Sequence, residues 1–309
     1  MIGTLALILG MSTLFFTVIL TLSGVNLFLL PFIVVVFNIV QWLMAPYLID
    51  IMYRVKEVKK ADNPELYGTV ERLSRKSGIK MPRVMQAQIP VPNAFAYGNL
   101  ISGSKVAVTT GLLKTLESEE VEGVIAHELG HLTHRDVQVM MFVSILPAIF
   151  YYIGYSILLS SMSRRRNEGS GGTAIIGVAS ILLYWVLSLF TLYLSRLREY
   201  YADRHSASIV EDGSRKLSEG LAKIANQTSR MKRLNRDLSG LTSLKALLIA
   251  DPDRADVDSA SMARVGAPLA DQTLVQKILR SRVTTLDRIM ELFSTHPNIV
   301  TRLKALQEL

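Results

Sequence analysis

The chain has 309 residues and a formal net charge of +8, from 34 Lys and Arg against 26 Asp and Glu. Half of its residues are hydrophobic and none is cysteine, which excludes disulfides and thiolate metal sites. A mean hydropathy of +0.31 is high for a water-soluble protein, and no nucleic-acid module accompanies the positive charge, which suits a basic face against anionic lipid.

Residues 1–49 contain no Asp, Glu, Lys or Arg, and Asp50 is the first charge. About 20 apolar residues make one membrane crossing, so this run is expected to form two spans, near 3–22 and 27–48, separated at Ser23-Gly24-Val25-Asn26. No basic residue precedes the first run, and both runs reach full span length, which argues against a cleaved signal peptide. Residues 62–77 read as a helix with Leu66, Val70 and Leu73 at helical spacing. Strand-like runs follow at 83–88, 94–97 and 105–109, punctuated by Pro90, Pro92, Gly98 and Gly103. Ser118-Glu119-Glu120 reads as an N-cap and acidic first turn of the next helix.

Two further charge-free runs, Val137–Ser163 and Gly169–Ser195, are each long enough to span. Pro147 inside the first is expected to kink it. The tail reads as helices near 196–230, 237–249, 271–293 and 298–308. The acidic stretch 250–270 has Asp256 and Met262 where a calcium-binding EF-hand loop needs Gly and Glu, so a solvated loop is expected.

These elements predict a mainly α membrane protein with about four transmembrane helices and a cytosolic α+β domain carrying a small β-sheet. The expected divisions are two N-terminal spans (1–49), a cytosolic part (50–136), a transmembrane hairpin (137–195) and a cytosolic helical part (196–309). Orientation follows the basic flanks: Arg54, Lys56, Lys59 and Lys60 after the second span, and Arg196, Arg198 and Arg204 after the fourth, face the cytoplasm. Arg164-Arg165-Arg166 in the hairpin loop opposes that assignment, unless its side chains snorkel to headgroups or the hairpin does not cross fully.

The segment His127-Glu128-Leu129-Gly130-His131 carries the chemistry. Residues four apart share a helix face, so His127 and His131 can present two imidazoles to one metal with Glu128 beside them, the HExxH pattern of zinc peptidases. A catalytic zinc takes three protein ligands, and without cysteine the third must be His, Glu or Asp. Glu199 and Asp203, four apart just after the fourth span, share a face. An antiparallel hairpin returns the chain to the same side, so His131 before it and Glu199 after it meet. The competing reading pairs Glu199 with Arg196 or Arg198. His134 and His205 are expected to be non-ligands.

HELGH, the segment Arg198-Glu-Tyr-Tyr-Ala-Asp203, the upstream Asn93-Ala-Phe-Ala-Tyr-Gly98 and the downstream His296-Pro-Asn-Ile-Val-Thr-Arg302 together resemble the HtpX-type membrane zinc metallopeptidases, relatives of the CAAX prenyl proteases. Asn298 stands where a second Pro is common in that group. The resemblance covers essentially the whole chain. It implies a gluzincin site with one zinc on His127, His131 and Glu199, Glu128 as general base, and Asp203 orienting a ligand histidine. It also implies that His296 and Arg302 face the cleft and stabilise the oxyanion. From residues alone, His296 reads first as an ordinary surface residue before a helix-opening Pro, and only the resemblance places it at the site.

Asn93, Ala94, Phe95, Ala96 and Tyr97 are the candidate edge strand onto which an extended substrate adds. The implied activity is a plasma-membrane, multi-pass endopeptidase with a cytoplasm-facing site, hydrolysing misfolded or damaged membrane proteins in quality control and stress response. Glu128 assists attack of a water activated by the zinc. No G-x-x-x-x-G-K-[ST] loop is present, so no nucleotide is expected. A CAAX-type prenyl-protein protease would use the same chemistry but generally has more spans. A non-catalytic, zinc-stabilised membrane scaffold is the other alternative.

Overall fold

A computed structural model of the protein describes residues 29–163, 170–233 and 271–309. The expected span at 3–22, the arginines 164–166, the helix at 237–249 and the acidic loop at 250–270 lie outside the described residues. In chain order the elements are α1 (Leu30–Met52), β1 (Val55–Glu57), α2 (Pro64–Lys76), β2 (Arg83–Ala87), β3 (Ala94–Asn99) and β4 (Gly103–Thr109). Next come α3 (Thr110–Thr115), α4 (Ser118–Thr133), α5 (Asp136–Ser163) and α6 (Ser170–Ile209). The chain ends with α7 (Gly213–Arg233), α8 (Asp271–Leu279), α9 (Thr285–Leu292) and α10 (Ile299–Gln307). Among the described residues, three segments are long and apolar enough to cross a membrane: Phe32–Met52, Asp136–Ser161 and Ala174–Ile209.

The chain divides into two compact units. The first holds α1 up to Met44, α5 from Gln138 and α6 up to Tyr193. Phe32, Phe142, Leu182 and Phe190 point outward and are exposed, which gives these helices an apolar outer surface suited to lipid. Inward, Val34, Ala148 and Tyr152 form a small cluster. Gly154 and Gly177 let α5 and α6 approach closely: a Cβ on Gly154 would lie 2.8 Å from the carbonyl oxygen of Gly177. Small residues permit such packing where lipid tails supply no hydrophobic drive between helices.

The second unit, Ala45–Val137 with Leu194–Leu309, is built on a four-stranded sheet in the order β1-β2-β4-β3. β2 and β4 are parallel, with Met85 opposite Ala107, and the outer pairs are antiparallel. β3 is an edge strand, with Ala96 opposite Val106. One sheet face carries Val84, Ala94, Val106 and Val108 into the main core. There they join Leu66, Val70 and Leu73 of α2, Val124 and Ile125 of α4, and Leu217 and Leu221 of α7. The other face packs Met85, Phe95, Tyr97 and Ala107 against Tyr53. α4 is therefore a core helix, and the residues of its HExxH segment are fixed by packing on both sides.

Several boundaries differ from those read in the sequence. The N-cap of α4 is Glu117 rather than Ser118, and Glu120 closes a capping box by accepting from the Glu117 backbone N–H at 2.9 Å. α6 runs unbroken to Ile209, and the chain turns into α7 through Asp212 at φ 55°. The stretch 271–293 is two helices, because Thr284 starts α9 with its own capping box: its N–H donates to Asp287 at 2.7 Å. β1 and α3 have no counterpart in the sequence reading. β1 is only three residues, Val-Lys-Glu, within a highly charged segment, and gives no alternating pattern to read.

Candidate active site

His127, Glu128 and His131 lie together on α4, with ligand-capable atoms within 4.8 Å of one another. α6 crosses at this point. Gly130, inside the HELGH segment, permits the crossing: a Cβ there would stand 3.0 Å from the Cα of Ala202 and 3.3 Å from its Cβ. Glu199 and Asp203 flank Ala202 along α6, so the close approach brings both carboxylates to the imidazoles. Ser206 fastens the same crossing by donating from its hydroxyl to the Gly123 carbonyl at 2.8 Å.

The resulting geometry is a triangle. His127 Nε2 and His131 Nε2 are 3.2 Å apart, and the Glu199 carboxylate oxygens lie 3.6 Å from the first and 3.5 Å from the second. The far side of each imidazole is held by an acid. His127 Nδ1 lies 2.9 Å from Asp203 Oδ1, and His131 Nδ1 lies 2.6 Å from Asp136 Oδ2. Protons on the two Nδ1 atoms satisfy these carboxylates, and both Nε2 lone pairs then face each other. Two opposed acceptors repel, and a metal ion between them would remove that repulsion; Arg302 Nη2, 3.1 Å from His127 Nε2, is the positive charge already beside the pair.

The donor set fits a metal ion. For bonds of about 2.0–2.1 Å, the edge of a tetrahedron is about 3.3–3.4 Å, close to the 3.2 Å between the two Nε2 atoms, while the Glu199 carboxylate straddles the pair, Oε2 3.6 Å from His127 and Oε1 3.5 Å from His131. Glu199 Oε2 is buried and makes no aligned hydrogen bond, although Arg302 Nη1 stands 3.0 Å away as a charge neighbour. A buried oxygen in that condition is suited to a metal bond. Glu128 is different, because its Oε2 accepts from the Ala96 backbone N–H of β3 at 2.8 Å.

Arg302 comes from α10 and is fully buried. Its Nε and Nη2 donate to the two oxygens of Asp203, each at 2.7 Å. Burial alone would lower its pKa, but the Asp203 and Glu199 carboxylates outweigh that and hold the guanidinium above its ordinary range. His296 lies just before α10, with Nε2 3.7 Å from Glu199 Oε1. The structure thus gathers His127, Glu128, His131, Glu199, Asp203, His296 and Arg302 in one cluster, buried except for the half-buried His131 and His296, and bordered by Ala96 of β3. Ala94 opens that strand and Asn93 lies just before it: Asn93 N–H donates to Thr109 Oγ1 at 2.9 Å. Phe95 and Tyr97 point to the opposite sheet face, away from the cluster.

His134 and His205 are engaged elsewhere. His134 Nδ1 is 2.8 Å from the Gly130 carbonyl, and His205 Nε2 is 2.9 Å from Ser77 Oγ.

Two residues that support the cluster have roles the sequence reading missed. Asp136, the first residue of α5, is one. It holds His131 and is itself held by Arg198 Nη2 at 2.7 Å. It returns to His131 because Arg135 takes a left-handed conformation, φ 55°, between α4 and α5. Arg196 is the other, read in the sequence only as a basic flank and a competing partner of Glu199. Its Nη1 donates to the carbonyls of Glu291 at 2.7 Å and Ser294 at 2.8 Å, which fixes the turn that carries His296.

A histidine pair one helical turn apart, a glutamate beside it and an acidic helix crossing at the imidazoles form the framework of an HExxH metallopeptidase. The comparisons with known proteins agree. The model of peptidase family M48 matches residues 60–309. A Protease HtpX homolog of Aeropyrum pernix is 34% identical over 314 aligned positions, covering 100% of this chain and 95% of that protein. Another from Thermoplasma acidophilum is 32% identical over 287, covering 91% and 84%. Among solved structures, Ste24p of S. mikatae shares the fold with a TM-score of 0.59 at 15% identity. The alignment covers 98% of this chain and 64% of that one, so the chain spans less than two thirds of its length.

The chain belongs to peptidase family M48 and is a metalloprotease of the HtpX type.

Proposed function

We propose that this protein is an integral-membrane, zinc-dependent endopeptidase that hydrolyses misfolded or damaged membrane proteins at the cytoplasmic face without ATP. The observation that carries the reading is the triangle of His127 Nε2, His131 Nε2 and the Glu199 carboxylate, 3.2–3.6 Å on a side, with Asp203 and Asp136 behind the two imidazoles. Those three side chains are the ligands in this reading. Zinc is the metal of choice because nitrogen and carboxylate donors in a compact tetrahedral arrangement suit it. When bound, the ion supplies Lewis-acid activation of a water molecule and of the scissile carbonyl.

The chain's own residues do the rest. Glu128 takes the proton of the attacking water as the carbon–oxygen bond forms, and delivers it to the departing amine as the carbon–nitrogen bond breaks. Ala96 N–H, which points away from β4, aims that carboxylate. His296 is the residue left to assist the oxyanion, because Arg302 is held by Asp203 and Glu199; Arg302 acts by fixing both acids. Asn93–Tyr97, the start of the edge strand β3 with the residue before it, is the candidate platform for an extended substrate, whose main chain supplies sequence-tolerant pairing.

The membrane reading has four spans, the three described apolar helices and a further one near 3–22. The organisation is two N-terminal spans (1–49), a catalytic part (50–136), a hairpin (137–195) and a helical part with the third ligand (196–309). The basic residues Arg54, Lys56, Lys59 and Lys60 support a cytoplasmic site in the plasma membrane.

The test is Glu128→Gln in the purified full chain. It is expected to retain one zinc by elemental analysis and to cleave an unfolded protein about 10²–10⁴-fold more slowly, the usual worth of a positioned general base. Near-normal turnover in that variant would sink the assignment.

A further inference from the structure

The outer face of α9 has no role in the site and does not look like a water-facing surface. Leu286, Ile289, Met290 and Phe293 recur at the i, i+3, i+4, i+7 spacing of one helix face, and all four are exposed, Leu286 at 63% and Ile289 at 50%. The two acids of this segment are turned inward. Asp287 is buried on Thr284, and Glu291 accepts from the Asn298 backbone N–H at 3.0 Å. The exposed charges nearby are all basic: Arg280, Arg282 and Arg288. An apolar stripe with arginines beside it is the pattern of a helix lying in a membrane interface.

The anchoring of α9 gives its depth. Its C-terminal carbonyls are held by Arg196, through Glu291 at 2.7 Å and Leu292 at 3.4 Å. Arg196 is the first charge after the charge-free run that ends at Ser195, so the groups it holds lie where that helix would leave the bilayer.

We propose that α9 docks on an anionic lipid surface, with Leu286, Ile289, Met290 and Phe293 in the headgroup–acyl boundary and Arg288 on lipid phosphates. The proposal rests on the membrane-spanning reading above. Its consequence is local: the turn after α9 carries His296, so the bilayer becomes one wall of the support for the active site.

The chain has no cysteine, so single-cysteine variants of the full protein carry one label each. Nitroxide labels at Ile289→Cys and Phe293→Cys are compared with a span reference, Leu182→Cys, and an exposed polar reference, Glu65→Cys, in vesicles of phosphatidylcholine and phosphatidylglycerol. Collision with oxygen against a water-soluble nickel chelate reads the depth. The labels at 289 and 293 are expected to favour oxygen, at a shallower depth than 182, while 65 favours nickel. Omitting the anionic lipid, or adding Arg288→Gln, is expected to raise nickel collisions at 289 several-fold.

Labels at 289 and 293 as nickel-accessible as 65, with 182 still protected, would overturn the docking alone. Labels shielded from both reagents in detergent as well as in vesicles would mean that protein covers the face, and would also overturn it. A water-accessible 182 would overturn the membrane reading and the docking together.

Discussion

Asp203 and Asp136 come from different elements and do the same work on the two candidate ligand histidines. A carboxylate behind an imidazole fixes its tautomer and raises its basicity, and losing one typically costs about 10–100-fold in metal affinity. Asp136→Asn is therefore expected to weaken zinc binding by about that factor, read by competition with a chromophoric chelator. An unchanged affinity would reduce Asp136 to a partner of Arg198. Arg302 is more tightly bound into the fold, because it neutralises Asp203 through two hydrogen bonds and stands 3.0 Å from Glu199. Removing one partner of such a buried pair costs about 3–5 kcal/mol, so Arg302→Gln should lower the melting temperature measured in detergent. Lysine should not rescue it, since an ammonium cannot reproduce the planar two-point contact. The sequence made Asp203 legible by its four-residue spacing from Glu199. It hid Asp136, because a left-handed turn at Arg135, not a helical repeat, brings that residue back.

The crossing of α4 and α6 is the element on which the cluster depends, and Gly130 sets its distance. Gly130→Ala would press a methyl to 3.0 Å from the Ala202 Cα, so α6 must shift by a few tenths of an ångström. That shift falls between Glu199 and Asp203, and zinc content and proteolysis should drop together while the fold survives. Gly68 in α2 is the control, with nothing within 4 Å of its added Cβ. Gly68→Ala should raise stability by about 0.5–1 kcal/mol, as expected for a helix interior, and leave activity alone. If Gly130→Ala behaved like Gly68→Ala, the close approach would not govern the site. Elements driven by local pattern were readable: α2 by its apolar spacing, β2 to β4 by their punctuation, and the HExxH helix by its motif. The break between α8 and α9 is harder to see, although Thr284 followed three residues later by Asp287 is a helix-start signal of its own. Continuous apolar spacing across 271–293 masks it.

At the scale of the molecule, the long charge-free runs announced the apolar helices, and Asp136–Ser161 and Ala174–Ile209 fall on two of them. What the runs could not tell is that α6 continues past its apolar part as one helix to Ile209, carrying Glu199 and Asp203 on the same rod. The proposed ligands therefore belong to two helices, α4 and α6, separated by an entire apolar hairpin in sequence. A metal that bridges them acts as a clasp, and its binding energy must appear as stability of the catalytic unit. For a ligand that binds only the folded state, about 2.7 kcal/mol is gained at a hundredfold excess over its dissociation constant. Chelation is thus expected to abolish proteolysis, lower the unfolding temperature and speed amide exchange in α4 and the 197–209 part of α6. Exchange in the apolar stretch 142–158 of α5 should stay slow, because its hydrogen bonds are shielded by lipid rather than by the metal. Adding zinc should restore activity and protection together. Chelation that removed activity but left α4 exchange unchanged would show that the ion does not join the two helices, and the third ligand would have to be sought on α4 itself, where Glu128 is the candidate within reach.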